Sequence, residues 1–158
     1  RIDEGTIPHP TGAVDLDDLL LEDAARLRAT TDLKIDVRSV SAGRVIGDAE
    51  QLERLIRNLT DNAARHARGV IRLSLQEVDG RTILCVDDDG IGVAPAERER
   101  VFQRFVRLDA ARDRDSGGSG LGLSIVREVA TFHGGSVRIL DSDLGGTRFE
   151  VDLPAHPD

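Results

Sequence analysis

A chain of 158 residues with 39% hydrophobic and 32% charged residues has the size and make-up of one soluble globular domain with a proper core. Its net charge of −8 and its lack of Trp and Tyr argue against a nucleic-acid surface, which wants a basic patch and stacking aromatics. A single cysteine, Cys85, excludes an internal disulfide and fits a reducing compartment, and its reading is a small buried hydrophobe in a strand.

In chain order, residues 1–13 are rich in Gly, Pro and Thr and read as a linker; the domain is expected over 14–158. The chain opens at Arg1 without Met, so it is expected to be cut from something longer, and no apolar run long enough to span a bilayer is visible. Residues 14–16 predict a short strand. Asp17 or Asp18 is positioned to cap a helix over about 19–29, with Leu19, Leu20, Ala24 and Leu27 inward. Ile35 and Val37 alternate with charged residues in a strand over 33–40, and 41–47 reads as a polar turn.

The next stretch, 51–67, organises the rest. Leu52, Leu55, Ile56, Leu59, Ala63 and Ala67 draw one apolar stripe at helical spacing, with Asp48 as N-cap and Gln51 three residues on. Asn58, Asp61, Asn62 and Arg65 share a second, polar stripe. Asn is a poor helix former, so two of them one turn apart need a reason. Two readings stand side by side: a solvated face, or a wall lining a ligand site, with amide oxygens for a hard cation and a guanidinium for phosphate.

Beyond Gly69, Ile71, Leu73 and Leu75 alternate in a strand, Asp79-Gly80 signals a hairpin, and 82–88 is apolar on both faces, which predicts a central strand. Period two puts Asp88 on the face of Leu84 and Val86. Asp87 to Gly92, DDDGIG, turns the backbone. Pro95 opens a short helix containing Val101, Phe102, Phe105 and Val106, and residues 109–119 have the composition of a mobile loop, poorly ordered without ligand. A glycine-rich run then enters a helix with Ile125, Val126, Val129 and Phe132 inward, closed by Gly134; His133 reads as a C-terminal helix residue favoured by the dipole. Val137 and Ile139 mark one strand; Thr147, Phe149, Val151 and Leu153 mark another, closed by Pro154.

Each motif is weak alone; their order is not. NLTDNAARH on a helix, DDDGIG after a central strand, VFQRF, GGSGLGLSIV into a helix and GGTRF into a strand resemble the N, G1, F, G2 and G3 boxes of sensor histidine kinases. Over about 48–154 the chain resembles their catalytic ATP-binding domain, whose fold is shared with type II topoisomerases, Hsp90 chaperones and mismatch-repair ATPases. That resemblance implies the Bergerat fold, an α/β two-layer sandwich with a mixed, mostly antiparallel sheet carrying helices on one face. Residues 1–47 fit more loosely; RIDEG looks like the end of a dimerisation helix.

The resemblance also implies roles. Asp88 would accept the adenine amino group, with Gly90 and Gly92 letting the base approach and Thr147 beside it. Asn62 would coordinate Mg²⁺, with Asn58 its partner one turn earlier. Arg65 stands where the family often has Lys, and His66 at an often aromatic position near the nucleotide. Phe102 and Phe105 would anchor the base of a lid, and Arg107 would touch phosphate. Gly118, Ser119, Gly120, Leu121, Gly122 and Leu123 would present backbone N–H groups to the phosphates at a helix N-terminus. Asn58, Arg65 and Arg107 are the candidate catalytic groups.

The four His stand at 9, 66, 133 and 156, none in a His-Glu-x-x-x-Pro context, so the acceptor histidine is expected elsewhere. Asn58 occupies the place of the general-base Glu of topoisomerase-like ATPases, which favours phosphoryl transfer over hydrolysis. The expectation is a histidine kinase ATP-binding domain with ATP and Mg²⁺ as ligands. Its γ-phosphate would pass to a His on an upstream dimerisation domain and then to a response regulator. The fragment would be monomeric, the full protein a homodimer, and the setting the cytoplasmic side of a membrane-anchored sensor. The alternatives are a serine kinase of the same fold acting as an anti-sigma factor, and a nucleotide-sensing module without catalysis.

Overall fold

The computed structural model describes residues 12–103 and 122–157. Phe105, Arg107, Gly118, Ser119, Gly120, Leu121 and the 109–119 loop lie outside them.

Strand β1 (Gly12–Asp15) leads directly into helix α1 (Leu16–Thr30). The helix starts earlier than its apolar spacing predicted, and Asp15, in extended conformation, holds the N-cap position without a side-chain cap bond. Asp17 does not cap: its carboxylate accepts from the Gly43 N–H at 3.3 Å and ties α1 to the connection over 41–43. Strand β2 (Lys34–Val40) follows, and then β3 (Arg44–Gly47), inside the stretch predicted as a turn. Only Val45 and Gly47 of β3 are buried, and its antiparallel partner is β1. So short a strand takes its identity from a distant pairing, which local alternation does not carry.

Helix α2 (Ala49–His66) matches its predicted stripe: Leu52, Leu55, Ile56, Leu59 and Ala63 are buried, and Asp48 Oδ1 accepts from the Gln51 N–H at 3.1 Å. Strands β4 (Val70–Val78) and β5 (Arg81–Asp88) form the predicted hairpin, with Asp79 and Gly80 both at positive φ (53° and 78°), the turn that matches strand twist. The segment opened by Pro95 is two 3-10 turns, Pro95–Glu97 and Arg100–Phe102, rather than one helix. Helix α3 (Gly122–Phe132) and strands β6 (Ser136–Asp141) and β7 (Thr147–Pro154) complete the described chain.

The main sheet runs β2-β4-β5-β7-β6; β2 and β4 are parallel and every other pair antiparallel. The predicted central strand is the central strand. Ile71, Leu73, Leu75, Leu84, Val86, Phe149, Val151 and Leu153 point from the sheet into one core shared with the three described helices. Fully burying each Leu or Phe there is worth about 1.5–3 kcal/mol against leaving it in water. Phe132, predicted inward, is half-buried and meets the His133 ring edge-on at 5.3 Å. No helix among the described residues is long and apolar enough to cross a membrane.

Candidate functional site

The central strand delivers Asp88 to the end of the core-facing row, 2% exposed. Its Oδ1 accepts from the Gly90 N–H at 2.8 Å and the Thr147 N–H at 3.4 Å. Burial pushes this carboxyl above its ordinary value, against the pull of those two N–H groups. Among the described residues both donors to Asp88 go to Oδ1, and Oδ2 accepts from neither.

Glycine is required around it for steric reasons. A Cβ at Gly90 would lie 2.3 Å from the His66 carbonyl oxygen, and one at Gly146 would lie 2.4 Å from Asp88 Oδ1 and 2.5 Å from the Gly90 nitrogen. Gly92 has φ +82°, a conformation L side chains avoid. The end of α2, the DDDGIG turn and the β6–β7 turn thus meet backbone to backbone around one carboxylate. Asp89 fastens the meeting point: its Oδ1 accepts from the Arg68 and Gly69 N–H groups at 2.7 and 3.0 Å, which, Gly69 first, hold its carboxyl below the usual range.

The polar stripe of α2 divides. Asp61 turns away to Arg26 of α1 at 2.9 Å, beside a buried Asp23 that accepts from Thr60 Oγ1 at 2.5 Å. Its place on the predicted face was right by period, but a partner on another helix claims it. Asn62 is 7% exposed, and half-buried Asn58 faces α3. Asn58 Nδ2 donates to the Gly122 carbonyl at 3.3 Å. Asn62 Oδ1 accepts from Arg65 Nη2 at 3.4 Å, a long contact that leaves this oxygen free to bind elsewhere. Arg65 and His66 are exposed; His66 Nδ1 donates to the Asn62 carbonyl at 2.9 Å at the last turn of α2.

Helices α2 and α3 run antiparallel. At the far end His133, 7% exposed, accepts through Nε2 from the Asp48 N–H at 3.1 Å and donates through Nδ1 to the Val129 carbonyl at 2.8 Å. Its predicted role as a dipole-favoured helix end misses this buried bridge.

Gly122 and half-buried Leu123 are the first described residues of α3; a helix N-terminus presents N–H groups and the positive end of the helix dipole. At the root of the segment entering α3, Arg127 grips Glu99 with both terminal nitrogens at 2.6 and 3.0 Å and lies 4.3 Å over the Phe102 ring. A buried acceptor, a glycine cradle, two amides and a helix N-terminus on one side of the sheet suit a purine nucleotide with an anionic tail.

Residues 47–157 match the family model described as histidine kinase-, DNA gyrase B-, and HSP90-like ATPase. The chain belongs to that family. It is 41% identical over 126 residues to the sensor protein RstB of Escherichia coli, covering 79% of this chain and 29% of that protein. Among solved structures it superimposes on the mycobacterial sensor histidine kinase MprB with a TM-score of 0.82 at 33% identity, covering 94% of this chain and 99% of that one. It also matches full-length ShkA, solved in complex with AMPPNP, with a TM-score of 0.78 at 30% identity, covering 94% of this chain and 32% of that one. The relatives are sensor kinases, which favours neither the anti-sigma kinase nor the non-catalytic alternative. This ATP-binding domain of the sensor histidine kinase type spans well under half the length of the curated relatives it matches.

Three groups escaped the sequence. Gly146 had a signal in its GG pair, and Asp89 in its place within DDDGIG. Asp87 had none beyond strand alternation.

Proposed function

We propose that this domain holds Mg²⁺-ATP between α2 and α3 and donates the γ-phosphate to a histidine on a separate upstream dimerisation domain, from which it passes to a response regulator. The observation that carries the reading is the Asp88 cradle, where three backbone segments close around a carboxylate with one oxygen unbonded among the described residues and no room for a Cβ. An exocyclic amine on a flat base fits that opening. The phosphates then extend toward the α3 N-terminus, where backbone N–H groups favour anions.

Asn62 Oδ1 is a hard neutral oxygen on the same side, and it suits Mg²⁺ completed by phosphate oxygens and water. The metal, when bound, would draw charge from the bridging phosphate oxygens. Arg65 adds a cation within reach of Asn62. Asn58 has an amide where hydrolysing relatives have a base, so water is not activated. The transfer forms an N–P bond at the acceptor imidazole, breaks the β–γ P–O bond and leaves ADP; the protein positions the reactants and neutralises charge. The full-length protein would be a homodimer on the cytoplasmic side of a membrane, with this domain monomeric by itself.

Incubation with γ-³²P-ATP tests the division of labour. The domain alone should stay unlabelled, and a dimerisation domain carrying its histidine, added in trans, should take up acid-labile label. Alkali-stable, acid-labile label on this chain alone would overturn it.

A further inference from the structure

Strand β5 carries two consecutive buried carboxylates, and only one faces the cradle. Asp88 lies on the helix side; alternation sends Asp87, 0% exposed, to the opposite face of the sheet. A buried charge there calls for partners. Three donors converge on its Oδ2: Ser142 Oγ at 2.7 Å, Arg148 Nε at 2.9 Å and Arg72 Nη2 at 3.5 Å. Arg72 also pairs with Asp143. Oδ1 of Asp87 has no hydrogen bond among the described residues. Arg72, Asp87 and Arg148 sit in register across three strands, so the cluster is built by the ladder.

Ser142 and Arg148 flank the β6–β7 turn. Ser142 Oγ donates to Asp87 and accepts from the Leu144 N–H at 3.1 Å, while the Ser142 N–H donates to the Gly146 carbonyl at 2.9 Å. One hydroxyl thus joins the turn to the central strand. The same turn presents Gly146 and Thr147 to Asp88 on the other face. The turn is gripped from behind by Asp87 and meets the ligand acceptor in front, with a glycine that leaves no slack.

We propose that Ser142, held by Asp87, is a positioning residue that sets the purine specificity of the site by fixing the β6–β7 turn against Asp88. The inference rests on the adenine reading of Asp88. Neither Ser142 nor Asp87 touches the ligand; they act through Gly146 and Thr147. Releasing the hydroxyl frees the turn to shift by tenths of an ångström, enough to spoil the alignment of Asp88 with a 6-amino group while the phosphate end stays intact.

The test compares ADP with inosine diphosphate, which has a 6-oxo group in place of the amine, by calorimetry with Mg²⁺. The wild-type chain should prefer ADP by roughly ten- to a hundredfold, the scale of one charge-assisted hydrogen bond. Ser142→Ala should cut that ratio by about fivefold or more, mainly through weaker ADP binding. Asp87→Asn, which keeps an acceptor for Ser142, should keep most of the preference. Measuring well below each melting temperature separates specificity from folding. A Ser142→Ala chain that folds and keeps the wild-type ratio overturns the inference and leaves the adenine reading standing. A wild-type chain indifferent to the 6-position overturns the adenine reading, and this inference with it.

Discussion

The substitution Asp88→Asn changes one atom's chemistry at the centre of the cradle. The oxygen of the introduced amide would stay with the Gly90 N–H, now 2.8 Å from Oδ1, because the reverse orientation would set NH₂ against two backbone donors. That leaves the NH₂ where Oδ2 faces the ligand, donor against donor. The charge-assisted bond is lost outright, about 1.5–3 kcal/mol, or roughly ten- to a hundredfold in affinity. The pH dependence carries a sign. Burial raises the native carboxyl above its usual range, so wild-type affinity should fall on acidification at a pH higher than an ordinary aspartate would cause, and the amide variant should be flat there. Stability moves the other way. A carboxyl raised in the native state opposes folding while ionised, and that cost is relieved as pH falls through the native value. Asp88→Asn should therefore leave the urea midpoint at neutral pH unchanged or raised. Titration of a fluorescent ATP analogue between pH 4 and 8, beside urea denaturation, checks both. Equal affinities, or a loss that tracks lost stability, would refute the assignment.

Gly146→Ala should weaken ATP binding about fivefold or more, because two of the three atoms its Cβ meets within 2.6 Å are backbone, and overpacking costs about 1–3 kcal/mol; calorimetry checks it. Asn62→Ala should lower ATP affinity in Mg²⁺ well beyond its effect in EDTA; equal losses would make Asn62 structural. Gly47→Ala should destabilise the wild type by about 1–3 kcal/mol, because its Cβ would stand 2.7 Å from both the His133 ring and Leu52 Cδ1, and by less in a His133→Ala background, where only the Leu52 clash remains. Urea denaturation of the four proteins gives the coupling, and additive effects would contradict the packing.

What could be read locally was read. Helix α2 declares itself by period and cap, and β5 by being apolar on both faces before ending in Asp88, because such signals need no partner. The failures are long-range. Strand β3 exists because β1 pairs with it from about 30 residues earlier. Asp61 left the polar face because Arg26 lies on a different helix. Gly146 matters only once the β6–β7 turn reaches Asp88, and the two carboxylates of β5 become distinguishable in role only when each face of the sheet has its occupants.

The pair α2 and α3 explains how a site between two helices keeps its spacing. Their seam is apolar, and apolar contact supplies attraction with little preference for register. Among the described residues, two polar bonds help to set register at opposite ends: Asn58 to Gly122, and His133 to Asp48 at the far end. Ten residues separate the two anchors on α2 and eleven on α3, spans of about 15 and 16.5 Å at 1.5 Å per residue. The lengths match, so both bonds form together without bending either helix. A slide of one residue would break both at once and drive His133 against Gly47, where even a methyl group does not fit. The far pin thus controls where the N–H groups at the start of α3 stand relative to Asn58 and Asn62, although it lies most of a helix length from either.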